Sequence, residues 1–88
     1  MLAEKRSKLI KKLLYQSSNR GCKETDLILG NFANQTLDHM ADDELEIFAK
    51  ILALPDNDIY DYYTGKKQVT PEFDSKVMHQ IIQFNPNK

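Results

Sequence analysis

The chain has 88 residues, of which 41% are hydrophobic and 28% charged, and its net charge is −1. That length suits one domain with a modest core, and the composition excludes a disordered chain. Three glycines and three prolines are too few for an all-β protein full of tight turns, while recurrent Leu, Ile, Lys and Glu favour helix.

The first element is "LAEKRSKLIKKLLYQ". Its apolar residues Leu2, Leu9, Ile10, Leu13 and Leu14 fall at helical spacing. Lys5, Lys8 and Lys12 share the opposite face, which reads as a solvated one. "SSN" then stops the helix, because short polar side chains compete for backbone hydrogen bonds. A second helix is expected from about Cys22 to Leu37. Ile28 and Phe32 are four apart, as are Leu29, Ala33 and Leu37. Gly30 inside it costs roughly 1 kcal/mol relative to Ala and marks a close helix–helix contact.

"ADDELEIFAKILAL" is the third helix. Asp42, Asp43 and Glu44 complement the macrodipole in its first turn. Ala41 is a poor cap, so Asp42 is expected to cap it. Leu45, Phe48 and Leu52 line one face and Ile47, Ile51 and Leu54 another, as in a central helix packed on both sides. Pro55 ends it. "PDNDIYDYYTG" reads as a short fourth helix, capped near Asp56 and closed by Gly65, with Ile59, Tyr62 and Tyr63 inward. Its acids imitate a calcium loop, but Asp61 sits where such a loop needs Gly and no Glu follows at the last ligand position. The fifth helix is expected to start at "TPEFD", with Thr70 as N-cap and Pro71 at the first helical position. Phe73, Val77, Ile81 and Phe84 share its face, and "NPNK" frays. The fold class is therefore all-α, a single-domain bundle of about five short helices.

Charge is unevenly distributed along this chain. Residues 1–23 carry seven Lys/Arg against one acid, residues 24–63 ten acids against one Lys, and residues 64–88 four Lys against two acids. Such a dipolar surface orients a protein partner and is poor for nucleic acid, because the acidic middle repels phosphate. The alternative is a small nucleic-acid-binding or antitoxin-type regulator using the basic first helix. One cysteine, Cys22, allows no internal disulfide and suits a reducing compartment. A membrane span, a secretory signal and a transit peptide are all unsupported, so the "NQT" at Asn34–Thr36 reads as a chance sequon.

Nucleophilic catalysis by Cys22 would need a positioned base, and no spacing links it to His39 or His79. Metal-ligand spacing and phosphate-loop motifs are missing. The expectation is a binding protein and not an enzyme, with no metal site and no cofactor of its own.

The most unusual local chemistry is "SSNRGCKETDLILGNF", residues 17–32. Gly21 is a plausible N-cap of the second helix with Glu24 three residues on, near the positive helix end. Arg20 and Glu24 are four apart and can pair if the helix reaches back that far. An ordinary capped turn explains this. So does a tip built to touch another protein.

The order of blocks "RGCKETD", "DDELEIFAKIL" and "PDNDIYDYYTG" resembles the small succinate dehydrogenase assembly factors that promote covalent attachment of FAD. The resemblance covers about residues 8 to 84. It implies a five-helix bundle that binds the flavoprotein subunit of succinate dehydrogenase, and often that of fumarate reductase. It implies that FAD stays on the partner. The family's Arg-Gly-x-x-Glu motif falls on Arg20, Gly21 and Glu24, with Asp26 in the same block, and these four are the implied partner-binding residues. Asn19 stands where bacterial members often have a basic residue, and Tyr62 where they often have tryptophan. The remaining expectations are a monomer when free, in the cytoplasm of a bacterium or the mitochondrial matrix of a eukaryote.

Overall fold

The computed structural model describes residues 2–84. It contains α1 (Ala3–Ser18), α2 (Lys23–Thr36), a 3-10 turn (Leu37–His39), α3 (Asp42–Leu52), α4 (Asp56–Thr64) and α5 (Lys76–Gln83). No strand occurs among the described residues. The Cα radius of gyration is 12.3 Å, against roughly 12 Å for one compact unit of this length. None of the described helices is long and apolar enough to cross a membrane.

The helical periodicity places the core where it points. Leu13, Leu29, Phe32, Ala33, Leu37, Leu45, Phe48 and Ile51 are buried together with Ile59, Tyr62, Val77 and Ile81. α3 packs on both α1 and α5, burying Leu45, Phe48, Ile51 and Leu52 and half-burying Ile47, with Leu54 half-buried just beyond its end. Phe32 meets Phe48 at a ring-centroid distance of 5.7 Å and meets Phe84 edge-on, also at 5.7 Å, arrangements that aromatic quadrupoles favour. Leu2 departs from the expected apolar face: it is the N-cap of α1 and 70% exposed.

Helix ends show the other departures. Ala41, not Asp42, is the N-cap of α3, and Glu44 reaches back to accept the Ala41 N–H at 2.9 Å. Alanine cannot return the bond, so only half of a capping box forms. α4 has Pro55 as its N-cap, which makes Asp56 its first residue, and Gly65 closes it with φ +81°. Beside it, Asp58 accepts from Lys67 Nζ at 2.9 Å and raises the lysine's pKa above its usual value.

α5 begins later than "TPEFD" suggests. Thr70 to Phe73 make one isolated turn, closed by Phe73 N–H donating to Thr70 O at 3.0 Å. Ser75 is the true N-cap, its hydroxyl accepting from Met78 N–H at 3.2 Å. Tyr62 is 6% exposed and takes the core position expected of it. Among the described residues no buried side-chain N or O lacks a hydrogen-bond partner. The "NPNK" terminus lies outside the described residues.

Candidate functional site

Residues 19–22 join α1 to α2, the two helices that pack most extensively on each other. The close approach follows from Gly30, buried opposite the last residue of α1, Ser18. Asn19 closes α1, its Nδ2 donating to Tyr15 O at 2.9 Å. Cys22 opens α2 as N-cap in extended conformation. Between them Gly21 has φ +96°, a left-handed value that glycine adopts without penalty. Gly21 is thus the turn residue and not the cap that its spacing from Glu24 implied.

The four candidate residues divide into two kinds. Gly21 and Glu24 are exposed. A Cβ placed on Gly21 would meet no atom within 4 Å. Glu24 lies in the first turn of α2, where a carboxylate complements the positive helix end. Arg20 and Asp26 are half-buried and engaged within the chain. Asp26 accepts the Arg20 backbone N–H at 2.7 Å. The Arg20 side chain turns away from Glu24, because α2 begins at Lys23 and leaves Arg20 outside the helix. Its Nε donates to Asp56, Nη1 donates to Leu52 O at 2.6 Å, and Nη2 donates to Leu54 O.

This anchor has a clear physical basis. The Leu52 and Leu54 carbonyls lie at and just beyond the end of α3, where main-chain acceptors have lost their helical partners. A guanidinium there satisfies them and complements the negative end of the macrodipole. Its Asp56 partner is the first residue of α4, so that carboxylate sits at a positive helix end. One planar fork therefore ties the α1–α2 tip to the α3–α4 corner. The side chains of Arg20 and Asp56 are 12% and 26% exposed, which limits solvent screening.

Two grooves reach the tip. One, of about 580 Å³, runs past Lys12, Tyr15, Arg20, Ala49 and Pro55. The other, of about 340 Å³, is lined by Ser18, Lys23, Asp26, Leu27 and Asn31. Each carries one exposed large apolar side chain, Tyr15 at 69% and Leu27 at 51%. Sequence reasoning did not single out Asp56, Tyr15 or Leu27 for this site. Asp56 is 36 residues from Arg20, and no local pattern encodes that pairing. Tyr15 and Leu27 sit in amphipathic helices whose apolar residues read as core.

Elsewhere the chemistry is ordinary. Cys22 Sγ accepts from Thr25 Oγ1 at 3.3 Å and lies 3.7 Å from Glu24 Oε2. The His79 ring pairs with Asp74 at 2.6 Å. No group of three or more potential metal ligands occurs among the described residues.

Residues 11–85 match the family model described as flavinator of succinate dehydrogenase. The chain belongs to that family. It is 41% identical over 78 residues to succinate dehydrogenase assembly factor 2, mitochondrial, of Dictyostelium discoideum, covering 89% of this chain and 55% of that protein. It is 40% identical over 81 residues to the protein of the same name in Saccharomyces cerevisiae, covering 88% of this chain and 50% of that one. The Mycosarcoma maydis protein of that name is 40% identical over 91 residues, with coverages of 97% and 38%. The chain thus spans about half the length of the first two of these curated relatives. The family match takes in the whole tip and its anchor, from Tyr15 to Asp56.

Proposed function

We propose that this chain is an assembly factor that binds the flavoprotein subunit of succinate dehydrogenase and promotes covalent attachment of FAD to it. One observation carries the reading. The family match spans a tip that turns Gly21 and Glu24 outward while tying Arg20 and Asp26 inward. The open space around Gly21 lets a partner backbone approach closely. Glu24 offers a carboxylate to a partner donor.

Covalent attachment requires the flavin ring to be held against its acceptor side chain, and holding the partner in one arrangement supplies that. In this reading the chain takes no part in the bond change, and FAD stays on the partner. It acts as a binding protein and not an enzyme, as a monomer when free. A fumarate reductase flavoprotein is a second client of the same chemistry. Its place of action is the mitochondrial matrix in a eukaryote or the cytoplasm in a bacterium. A nucleic-acid role would rest on the exposed Lys5, Lys8 and Lys12 of α1, and the acidic middle of the chain works against it.

The test is flavin fluorescence of the denatured flavoprotein from cells that lack their own factor and carry this chain. Restored covalent flavin supports the reading. An unflavinylated subunit beside well-expressed, folded protein overturns it.

A further inference from the structure

Gly21 alone does not set the shape of the tip. Glycine populates positive and negative φ about equally, so nothing in Gly21 itself selects +96°. The selection comes from its neighbours. On one side Cys22 is fixed as the N-cap of α2. On the other, Arg20 is held at two points: its amide by Asp26 and its guanidinium at the α3–α4 corner. All three guanidinium nitrogens have partners within the chain. Two of those partners are main-chain carbonyls that no substitution can remove. The third, Asp56, is a side chain, and it alone among the three carries a charge.

We propose that Asp56 is a positioning residue for the tip, acting through Arg20 on Gly21 and Glu24. Asp56 lies on α4, 36 residues away in sequence. Its carboxylate orients the Arg20 fork, and the fork fixes the backbone from which the tip projects. Arg20 then serves the tip as a clasp and not as a contact. The geometry demands arginine, since three separate acceptors around one side chain need a planar fork, and the point charge of lysine cannot serve all of them. This inference rests on the proposed role of the tip as the contact with the flavoprotein subunit.

The clasp and a direct contact make different thermodynamic predictions. Two residues of one clasp lose the same thing, so their substitutions do not add. A residue of the clasp and a residue of the contact surface lose different things, and theirs do add. The experiment is a pair of mutant cycles on the full chain, read as affinity for the purified flavoprotein subunit. One cycle combines Asp56→Asn with Arg20→Ala, and the other combines Asp56→Asn with Glu24→Ala. Nitrogen–proton NMR of the free protein follows the Gly21 amide and the Arg20 Nε–H.

The expected result has four parts. Asp56→Asn keeps its helical spectrum and cooperative melt. Its Gly21 amide and Arg20 Nε–H signals move or broaden. Its affinity falls about tenfold. Arg20→Ala/Asp56→Asn binds within about twofold of Arg20→Ala alone, while Glu24→Ala/Asp56→Asn shows the product of the two single losses. Asp56→Glu keeps the charge and recovers part of the affinity. If Asp56→Asn melts below the assay temperature, Asp56→Glu takes its place in both cycles.

Full additivity with Arg20→Ala overturns the inference, because Asp56 would then touch the partner itself. Wild-type affinity in a folded Asp56→Asn protein with displaced tip signals overturns it too. Failure of the underlying reading looks different: Gly21→Arg and Glu24→Ala would both bind normally.

Discussion

Gly30 of α2 faces Ser18 of α1 so closely that a Cβ on Gly30 would lie 2.8 Å from the Ser18 Oγ. That atom is the tip of an exposed, rotatable side chain, and the next nearest atoms are at 3.5 and 3.6 Å. Two effects oppose each other in Gly30→Ala. The helix gains roughly 1 kcal/mol of propensity, and the serine must change rotamer. The expected net change is within about 1 kcal/mol, read from urea unfolding. Gly30→Leu should cost about 1–3 kcal/mol, because beyond the Oγ the new side chain meets the Ser18 Cα, 3.6 Å from an added Cβ, which is main chain and cannot turn aside. A stable Gly30→Leu protein would show that the helices can part without loss.

Phe48 and Leu45 are both 0% exposed on α3. Truncating either to Ala leaves a cavity in the core, beside Phe32 of α2 in the case of Phe48, and the expected cost is about 2–5 kcal/mol. For a domain of this size each 1 kcal/mol moves Tm by about 4–8 °C. A calorimetric Tm unchanged by Phe48→Ala would contradict the packing described.

Ser75 caps α5 with a hydroxyl bond to Met78 N–H at 3.2 Å, whereas Thr70 contributes its main chain to an isolated turn. Ser75→Ala should therefore cost about 0.5–2 kcal/mol, and Thr70→Ala less than about 0.5 kcal/mol. The order of the two Tm shifts is the measurement. A larger effect at Thr70 would mean that the helix starts where its sequence signals suggest.

That contrast shows what was legible. Helix existence was, because Leu45, Phe48 and Leu52 or Ile28 and Phe32 can satisfy their spacing in only one regular structure. Helix beginnings were less so. "TPEFD" and the serine after it both carry start signals; in the fold Ser75 caps the helix, and Phe73 packs against the core from the turn before it. At the candidate site, the place of Glu24 in the first turn of α2 was legible from local spacing, and the turn role of Gly21 was not. Nor was the inward engagement of Arg20 and Asp26. It depends on Asp56 and on two carbonyls at the end of α3, groups that only the folded chain brings near. A motif fixes residue types and their spacing and says nothing of whether they face in or out.

Gly21 tests that distinction most sharply, because two explanations for a glycine here can be separated. If its role is conformational, what matters is φ +96°. Asparagine is several-fold enriched among non-glycine residues at positive φ, so Gly21→Asn should be tolerated better than Gly21→Val. Nothing lies within 4 Å of an added Cβ, so in neither substitution does the Cβ itself clash inside the chain. The stability cost should be about 1–2 kcal/mol for a backbone held left-handed without glycine, and smaller for asparagine. If the role is instead to leave room for a partner backbone, any side chain obstructs the approach. Gly21→Asn should then melt close to the wild type yet lose most of its affinity for the flavoprotein subunit, and Gly21→Arg should lose all of it. The measurements are Tm of the free protein and covalent flavin fluorescence of the subunit in complemented cells. Loss of flavinylation in a Gly21→Asn protein with a nearly unchanged Tm assigns Gly21 to the contact. Flavinylation that instead tracks Tm across Asn, Val and Arg assigns it to the turn alone, and the contact surface would then have to be sought along the grooves of Tyr15 and Leu27.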